Sequence, residues 1–431
     1  MLQILKKIIP RSVFNFFQPA YHYLLALVGA IIYRFPSRKL TIVGVTGTKG
    51  KSTTTELVNS ILEAAGYKTA LQNTLHFKIG DKETRNLYKM SMPGRLFMQK
   101  FLRDSVNASC THAVLELTSE GAKQFRHKFI ELDALIFMNL APEHIESHGS
   151  YEKYIEAKLS IARELETSPK PNPGIIVNSD DKEAERFLKL EIKNKITYSL
   201  SEAFNMSCNE SGSSFQVGKM VIHSTLPGEF NIYNTLGAIA CAKFLQIPDE
   251  KIKEGIEKVE TVRGRMEKVD LGQGFDCVVD YAHTPDSLRA VYESYKNMQI
   301  IGVLGNTGGG RDKWKRPMMA KIAEEYCSHI ILTNEDPYDE DPKAIIEDMK
   351  SVITKKPVEV VMDRRKAIRL ALKKASTLRL APLTQGTSNQ NSVAVLITGK
   401  GTDPYIMGPN GTKEPWDDAT VTREELSKLL K

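Results

Sequence analysis

The chain has little cysteine and never pairs it. Its five cysteines, Cys110, Cys208, Cys241, Cys277 and Cys327, are odd in number and widely scattered, with no CxxC among them. That usage excludes a disulfide framework and a zinc motif and fits reduced thiols in the cytosol. Long hydrophobic runs are also missing, because the longest apolar stretch, from Ala20 to Phe35, has 16 residues. A membrane-crossing helix needs about 20. No small-residue cleavage site follows the stretch, so a secretory signal is not expected. No internal repeat is present, which sets solenoid architectures aside.

Acid is absent from the first 55 residues, which hold eight basic ones: Lys6, Lys7, Arg11, Arg34, Arg38, Lys39, Lys49 and Lys51. The net charge is +7, so the remainder carries 7 − 8 = −1. A body this near neutrality lacks the basic footprint of a nucleic-acid-binding surface. The basic N-terminus brackets the apolar stretch, itself bounded by Pro19 and Pro36. Residues 1–38 therefore read as a helix lying on a membrane surface, at the inner face of the plasma membrane, or as one packed on the protein's own body or on a partner. The rest of the chain, 431 residues in all with 41% hydrophobic and 26% charged, has the composition and length of an ordinary globular protein of two or three domains.

From Leu40 onward short apolar runs alternate with helical patterns, the mark of an α/β protein with mainly parallel sheets. A first series of strands is expected at Leu40–Val45, Ala113–Leu117, Ala134–Asn139 and Gly174–Asn178. A second is expected at Cys277–Tyr281, Ile300–Gly305, Ile330–Thr333, Val358–Met362 and Val393–Thr398. Between them Thr261–Arg265 reads as a hinge. Residues 201–224, polar and rich in glycine and serine, suggest a small hairpin region, and Ser376–Ser392 an exposed loop. The expected division is 1–38, an ATP-binding domain over 39–262 and a Rossmann-like α/β domain over 263–431.

The strongest chemical signal follows the first strand. Gly47, Thr48, Lys49, Gly50, Lys51, Ser52 and Thr53 lead into a helical pattern with apolar Leu57, Val58, Ile61 and Leu62. Glycines at a helix N-terminus let backbone N–H groups turn inward around phosphates, Lys51 is placed to reach the β- and γ-phosphates, and Ser52 to hold Mg²⁺. Val45 stands where the strict GxxxxGK[ST] motif has its first glycine.

This variant loop resembles that of the Mur ligases and folylpolyglutamate synthases. Further stretches fall in the order they take in MurE-type Mur ligases: Leu115–Ser119, Asn139–His144 with His148 and Gly149, Tyr154–Lys158, Leu226–Asn234, Gly264–Glu267, Asp280–Pro285, Gly308–Lys313 with Lys315–Pro317, and Gly399–Gly401. The likeness covers residues 40 to 431. It implies an ATP-dependent ligase of peptidoglycan precursor synthesis, which adds an amino acid to a muramoyl peptide through an acyl phosphate. In such a reaction charge gathers on phosphoryl and carboxyl oxygens, so positioning and electrostatics carry the catalysis.

The resemblance assigns Lys51, Glu116, His144 and Lys158 to catalysis, with Lys158 carbamylated and two Mg²⁺ ions held by Ser52, Glu116, His144 and Lys158. It places ATP against Asn234, Arg265, Asp280 and His283 as well as the loop, with these partners on a domain other than the loop's. It gives Ser91, Thr118, Ser119, Arg311, Asp336, Tyr338, Gly399 and Asp403 to the acceptor and the amino acid. Two departures stand out. The span before Leu40 has no room for the domain with which MurE enzymes recognise the UDP end, which opens a lipid-linked acceptor. Glu335-Asp336-Pro337-Tyr338 stands where diaminopimelate enzymes read Asp-Asn-Pro-Arg, so a distal-carboxylate clamp is absent. Asp336 and Asp403 then suit a cationic side chain, which points to lysine or a similar diamino acid. Other superfamily ligases, of the folylpolyglutamate synthase or lipid-linked amidation kind, and an inactive ATP-binding scaffold are the alternatives.

Overall fold

The computed structural model describes residues 11–143, 145–310, 312–380 and 392–431. His144 and Arg311 thus lie outside the described residues. The chain divides into two compact units. One runs up to Phe204 and adds Val217–Met220 and Tyr233–Lys258; the other comprises Asn205–Gln216, Val221–Ile232 and Val259–Lys431.

The first unit is built on an eight-stranded sheet ordered β4-β3-β2-β5-β1-β6-β7-β8. Its strands are β1 (Thr41–Thr46), β2 (Thr69–Gln72), β3 (His76–Ile79), β4 (Lys82–Arg85), β5 (His112–Glu116), β6 (Ala134–Phe137), β7 (Gly174–Asn178) and β8 (Asn194–Tyr198). The six strands from β2 to β8 are parallel, while β3 and β4 add an antiparallel edge. Strands covered by helices on both faces must be apolar along their length. Accordingly β5, β6 and β7 are buried at every position. All four strands expected in this series form.

Three short strands, β9 (Phe204–Asn209), β10 (Gly212–Val217) and β11 (Met220–Ser224), make a separate sheet where a hairpin region was expected. The second unit carries a six-stranded sheet, β12-β13-β17-β14-β15-β16. It contains β12 (Glu267–Lys268), β13 (Asp276–Asp280), β14 (Gln299–Leu304), β15 (Cys327–Leu332), β16 (Val358–Val360) and β17 (Val393–Thr398). Only β12 runs antiparallel. A ribbon of β18 (Tyr405–Met407) and β19 (Lys413–Pro415) follows. The α/β class with mainly parallel sheets is therefore as expected.

Two local expectations change. Residues 376–380, read as loop, continue the helix Arg364–Leu380, and residues 381–391 lie outside the described residues. Pro19 does not bound the N-terminal apolar segment but sits inside a helix, Arg11–Ile32. A proline there removes one backbone hydrogen bond without ending the helix. One side of this helix packs on the helix Arg95–Asn107: Ala26 and Ala30 are buried, and Gly29 is close enough that an added Cβ would lie 3.6 Å from Gln99 and Leu96. The Arg103 guanidinium donates to the Tyr33 carbonyl at 2.7 and 2.9 Å, satisfying an acceptor at the helix's C-terminal end. Packing on the protein's own body is thus observed. No helix among the described residues is long and apolar enough to cross a membrane.

Candidate active site

Strand β1 delivers the chain into the phosphate loop. Gly50, in the left-handed region (φ 84°), is the N-cap of the helix Lys51–Ala64. A Cβ on it would fall 2.1 Å from Asn234 Oδ1, and one on Gly47 (φ 155°) would fall 2.7 Å from Met138. Both positions demand glycine by conformation and by space. The loop thus presents its N–H groups at a helix N-terminus, where an anion is favoured.

Around the loop the side chains form a closed network. The Lys51 ammonium donates to the Thr48 carbonyl at 2.8 Å. Asn139 clamps the loop with three bonds: its carbonyl accepts from Thr48 N at 2.9 Å, Oδ1 from Lys49 N at 2.8 Å, and its amide donates to the Lys49 carbonyl at 3.2 Å. Lys49 pairs with Glu143 at 3.1 Å. The Thr48 hydroxyl meets the Tyr154 phenol at 2.8 Å. Thr53 is buried in the first helical turn.

Glu116 is the last residue of β5 and is buried facing this loop. Its carboxylate accepts from Ser52 Oγ, Thr74 Oγ1 and Ser91 Oγ, each at 2.8 Å, and from Thr74 N at 3.1 Å. Burial on its own would raise its pKa, but the Lys51 charge and these hydrogen bonds outweigh it and hold the group ionised, below the usual range. Lys158 comes from the helix Tyr151–Ala162, whose N-cap Ser150 accepts from Lys153 N. Its ammonium, buried, donates to the Gly47 carbonyl at 2.7 Å and lies 5.0 Å from the centre of the Tyr154 ring. Burial first and the Lys51 charge second push its pKa well below that of an ordinary lysine.

Of the residues expected at the site, Lys49, Lys51, Ser52, Thr53, Glu116, Lys158 and Ser91 converge here. Asn234 belongs to the loop's own unit and lies against Gly50. Thr118 caps the short helix Ser119–Lys123 by accepting from Gly121 N, and Ser119 is buried beside it. The expectation missed Asn139, Thr74 and Tyr154. Asn139 and Tyr154 stand in motifs already noticed; Thr74 carried no signal, because only β-sheet pairing brings it to Glu116.

In the second unit Asp280 ends β13, and its carboxylate accepts from Met266 N, 14 residues upstream, at 2.7 Å and from Ala282 N in its own turn at 2.6 Å. The Arg265 guanidinium stacks 4.6 Å from the Tyr281 ring, which meets His283 edge-on at 4.7 Å. Tyr281 was not expected. The left-handed Tyr338 (φ 51°) donates its N–H to Met407 O at 3.0 Å.

The structure gives Asp336 and Asp403 a partner. Lys400, fully buried, pairs with Asp336 at 2.9 Å and with Asp403 at 3.0 Å, and donates to Tyr405 O. The two carboxylates thus share one internal cation, which leaves the trio a formal charge of −2 + 1 = −1. Gly399 (φ 105°) makes room for Glu335, whose Oε2 an added Cβ would meet at 2.2 Å.

No group of three or more His, Cys, Asp or Glu side chains that could hold a metal is preformed among the described residues. The donors nonetheless fit Mg²⁺ bound with nucleotide. Ser52 and Glu116 offer hard oxygens beside a phosphate cradle, and Mg²⁺ in such sites takes few protein ligands plus substrate phosphates. Bound ATP supplies the phosphoryl group that activates a carboxylate, and Mg²⁺ the charge to screen it.

A parallel sheet ending in a phosphate loop with a serine, a strand-end glutamate and a buried lysine, joined to a second α/β unit, defines an ATP-dependent ligase architecture. The Mur ligase middle domain matches residues 45–242, and the Mur ligase glutamate ligase domain residues 264–401. Among curated relatives, the UDP-N-acetylmuramoyl-L-alanyl-D-glutamate–2,6-diaminopimelate ligase of Listeria monocytogenes is 36% identical over 94% of this chain and 82% of its own length. The ligase of the same name from Cytophaga hutchinsonii is 33% identical with the same coverage. A solved ligase of that name superposes with TM-score 0.60 at 28% identity, covering 91% of this chain and 79% of its own. Mycobacterium tuberculosis folylpolyglutamate synthase shares the fold, with TM-score 0.71 over 94% of both chains at 16% identity. The chain belongs to the Mur ligase family. It is an ATP- and Mg²⁺-dependent acid–amino-acid ligase.

Proposed function

We propose that this enzyme joins a diamino acid, diaminopimelate in the first place, to the D-glutamyl carboxylate of UDP-N-acetylmuramoyl-L-alanyl-D-glutamate, releasing ADP and phosphate. The observation that carries the reading is the Ser52–Glu116 contact of 2.8 Å at the mouth of the phosphate loop, with Lys158 buried on the same loop at Gly47. Lys51 neutralises the phosphoryl group in flight. Ser52 and Glu116 would hold one Mg²⁺, and His144 and Lys158 would serve a second, supplying charge to screen the phosphoryl oxygens.

An amine kept neutral by burial is the form that adds CO2, losing a proton, so the setting of Lys158 supports its carbamylation. Conversion of this cation to a carbamate would relieve its repulsion with Lys51 and provide oxygen ligands. Thr118, Ser119 and Ser91 are assigned to the acceptor side, and Arg311, Asp336, Tyr338, Gly399 and Asp403 to the amino acid. Asn234, Arg265, Asp280 and His283 complete the ATP contacts. All five cysteines are free, four of them buried, which supports a reducing, cytosolic setting.

Diaminopimelate is placed ahead of L-lysine because the relatives above carry that substrate in their names. The test is incubation with ATP, Mg²⁺, the acceptor and either amino acid, with products read by mass. A diaminopimelate adduct is expected. A lysine adduct alone would reassign the amino-acid pocket, and ATP turnover with neither would reassign the acceptor.

A further inference from the structure

The helix Arg11–Ile32 has two apolar sides, and among the described residues its contacts bury only one. On the covered side Ala26 and Ala30 are buried, while the Tyr23 ring lies 5.2 Å from Phe129 and 6.3 Å from Phe125. On the other side Tyr21, Leu24, Val28 and Ile31 follow one another at steps of three and four residues, which aligns them on one helix face. Leu24 is 58% exposed and Ile31 57%, which for large apolar side chains in a row is an exposed apolar surface. The ten residue steps from Tyr21 to Ile31 make that strip about 15 Å long.

We propose that this strip docks the enzyme on an anionic lipid surface, with the helix lying along the bilayer rather than through it. The inference goes beyond the ligase reading and stands apart from it. Charge selects the occupant. No acid occurs before Glu56, and Arg34, Arg38 and Lys39 are exposed just beyond the helix, with Arg11 at its start. Arg38 is held against Glu131 at 2.8 Å, which fixes one of these cations in place on the body. Apolar side chains entering the acyl boundary with cations at headgroup level are the two contributions that bind an interfacial helix. A second copy of this chain is the poorer partner, since it would match apolar strip to strip but set one cationic segment against another. The depth of the strip is one row of side chains, which suits an interface and not a span.

The experiment is flotation of the full chain with vesicles of phosphatidylcholine mixed with phosphatidylglycerol, against vesicles of phosphatidylcholine alone. Binding is expected on the anionic vesicles and should weaken as salt is raised, because the attraction is screened over about 10 Å at 0.1 M. Arg34→Gln with Lys39→Gln should lower the affinity by about thirtyfold, roughly 1 kcal/mol for each charge. Leu24→Asp with Val28→Asp and Ile31→Asp should abolish binding while the far-ultraviolet circular dichroism spectrum and turnover with soluble acceptor stay at wild type. If the triple variant does not fold, the two glutamine substitutions still decide. Equal binding to both vesicle types, or none to either, overturns the proposal. So does a dimer in sedimentation that the triple variant disperses without any vesicle binding by the parent. Failure of the ligase assay would leave the vesicle result standing.

Discussion

At the scale of the residue, the phosphate loop concentrates like charge where charge must be handled. Burial and then the Lys51 charge lower the pKa of Lys158, against the opposing pull of Glu143 and Glu116, while the Lys51 charge helps keep Glu116 ionised. Lys51→Ala should cost about a thousandfold or more in kcat, since a charge aimed at the transferring group is worth that much. Steady-state phosphate release checks it, and activity within about tenfold of wild type would remove the lysine from the mechanism. Lys158→Ala should be nearly inactive and partly restored by added formate or acetate, whose carboxylate can take the vacated ligand position. A variant that no short carboxylate rescues would argue that Lys158 acts as an amine.

These roles were legible to different degrees. The expectations for Ser52 and Lys51 follow from a loop motif, whereas that for Glu116, at a strand end, rests on the family resemblance. Lys400 could not be found that way, because its two carboxylate partners are 64 residues upstream and three residues downstream, and only the folded chain brings all three together. Sequence alone therefore showed Asp336 and Asp403 without the lysine that lies between them.

At the scale of the element, the antiparallel edge β3–β4 was invisible in the sequence. Every residue of β4 is polar, three of its four positions are exposed, and nothing in its apolar content marks a strand. What fixes this edge is electrostatic. His76, at the start of β3, is paired with Glu56 at 2.8 Å and with Glu83 of the neighbouring segment at 2.5 Å. Burial alone would lower its pKa, but the two carboxylates prevail and raise it from 6.5 to about 9. A histidine whose folded pKa is raised stabilises the fold fully below its unfolded value and loses that contribution as pH climbs through the folded one. The thermal midpoint of wild type should therefore exceed that of His76→Gln most clearly below pH 6.5, and the gap should close by about pH 9. A gap independent of pH would mean that packing, not charge, holds the edge. The buried parallel strands were legible for the opposite reason, since being covered on both faces forces continuous apolar runs such as Val393–Leu396 in β17.

At the scale of the whole molecule, metal and nucleotide should matter to activity and not to the integrity of the fold. The described residues preform no cluster of metal-binding side chains, and both sheets are built on apolar strands. A chelator should thus abolish ligation while leaving the melting temperature unchanged, whereas ATP with Mg²⁺ should raise it, because binding stabilises the folded state by about 2.7 kcal/mol at a hundredfold excess over Kd. A chelator that lowers the melting temperature of the ligand-free protein would reveal a structural ion instead. The chain passes through a small sheet before Tyr233–Lys258 returns to the unit that holds the loop, a detour that alternating strands and helices do not announce.

That return shapes how the enzyme is made. The helix Lys51–Ala64, which carries the phosphate loop, is covered by the helix Asp249–Glu257: Ser60 Oγ donates to Gly255 O at 2.7 Å, and a Cβ on Gly255 would sit 2.3 Å from Ile61 Cα. Any side chain larger than hydrogen at Gly255 would hold the two helices apart. On the ribosome, then, the nucleotide loop is synthesised early and waits some 200 residues for its cover, on the order of 10 to 40 s at ordinary elongation rates. During that interval Leu57, Ile61 and their neighbours are open to chaperones, and a nascent chain stalled before Gly255 should be recognised as unfinished although its catalytic motif is already in place.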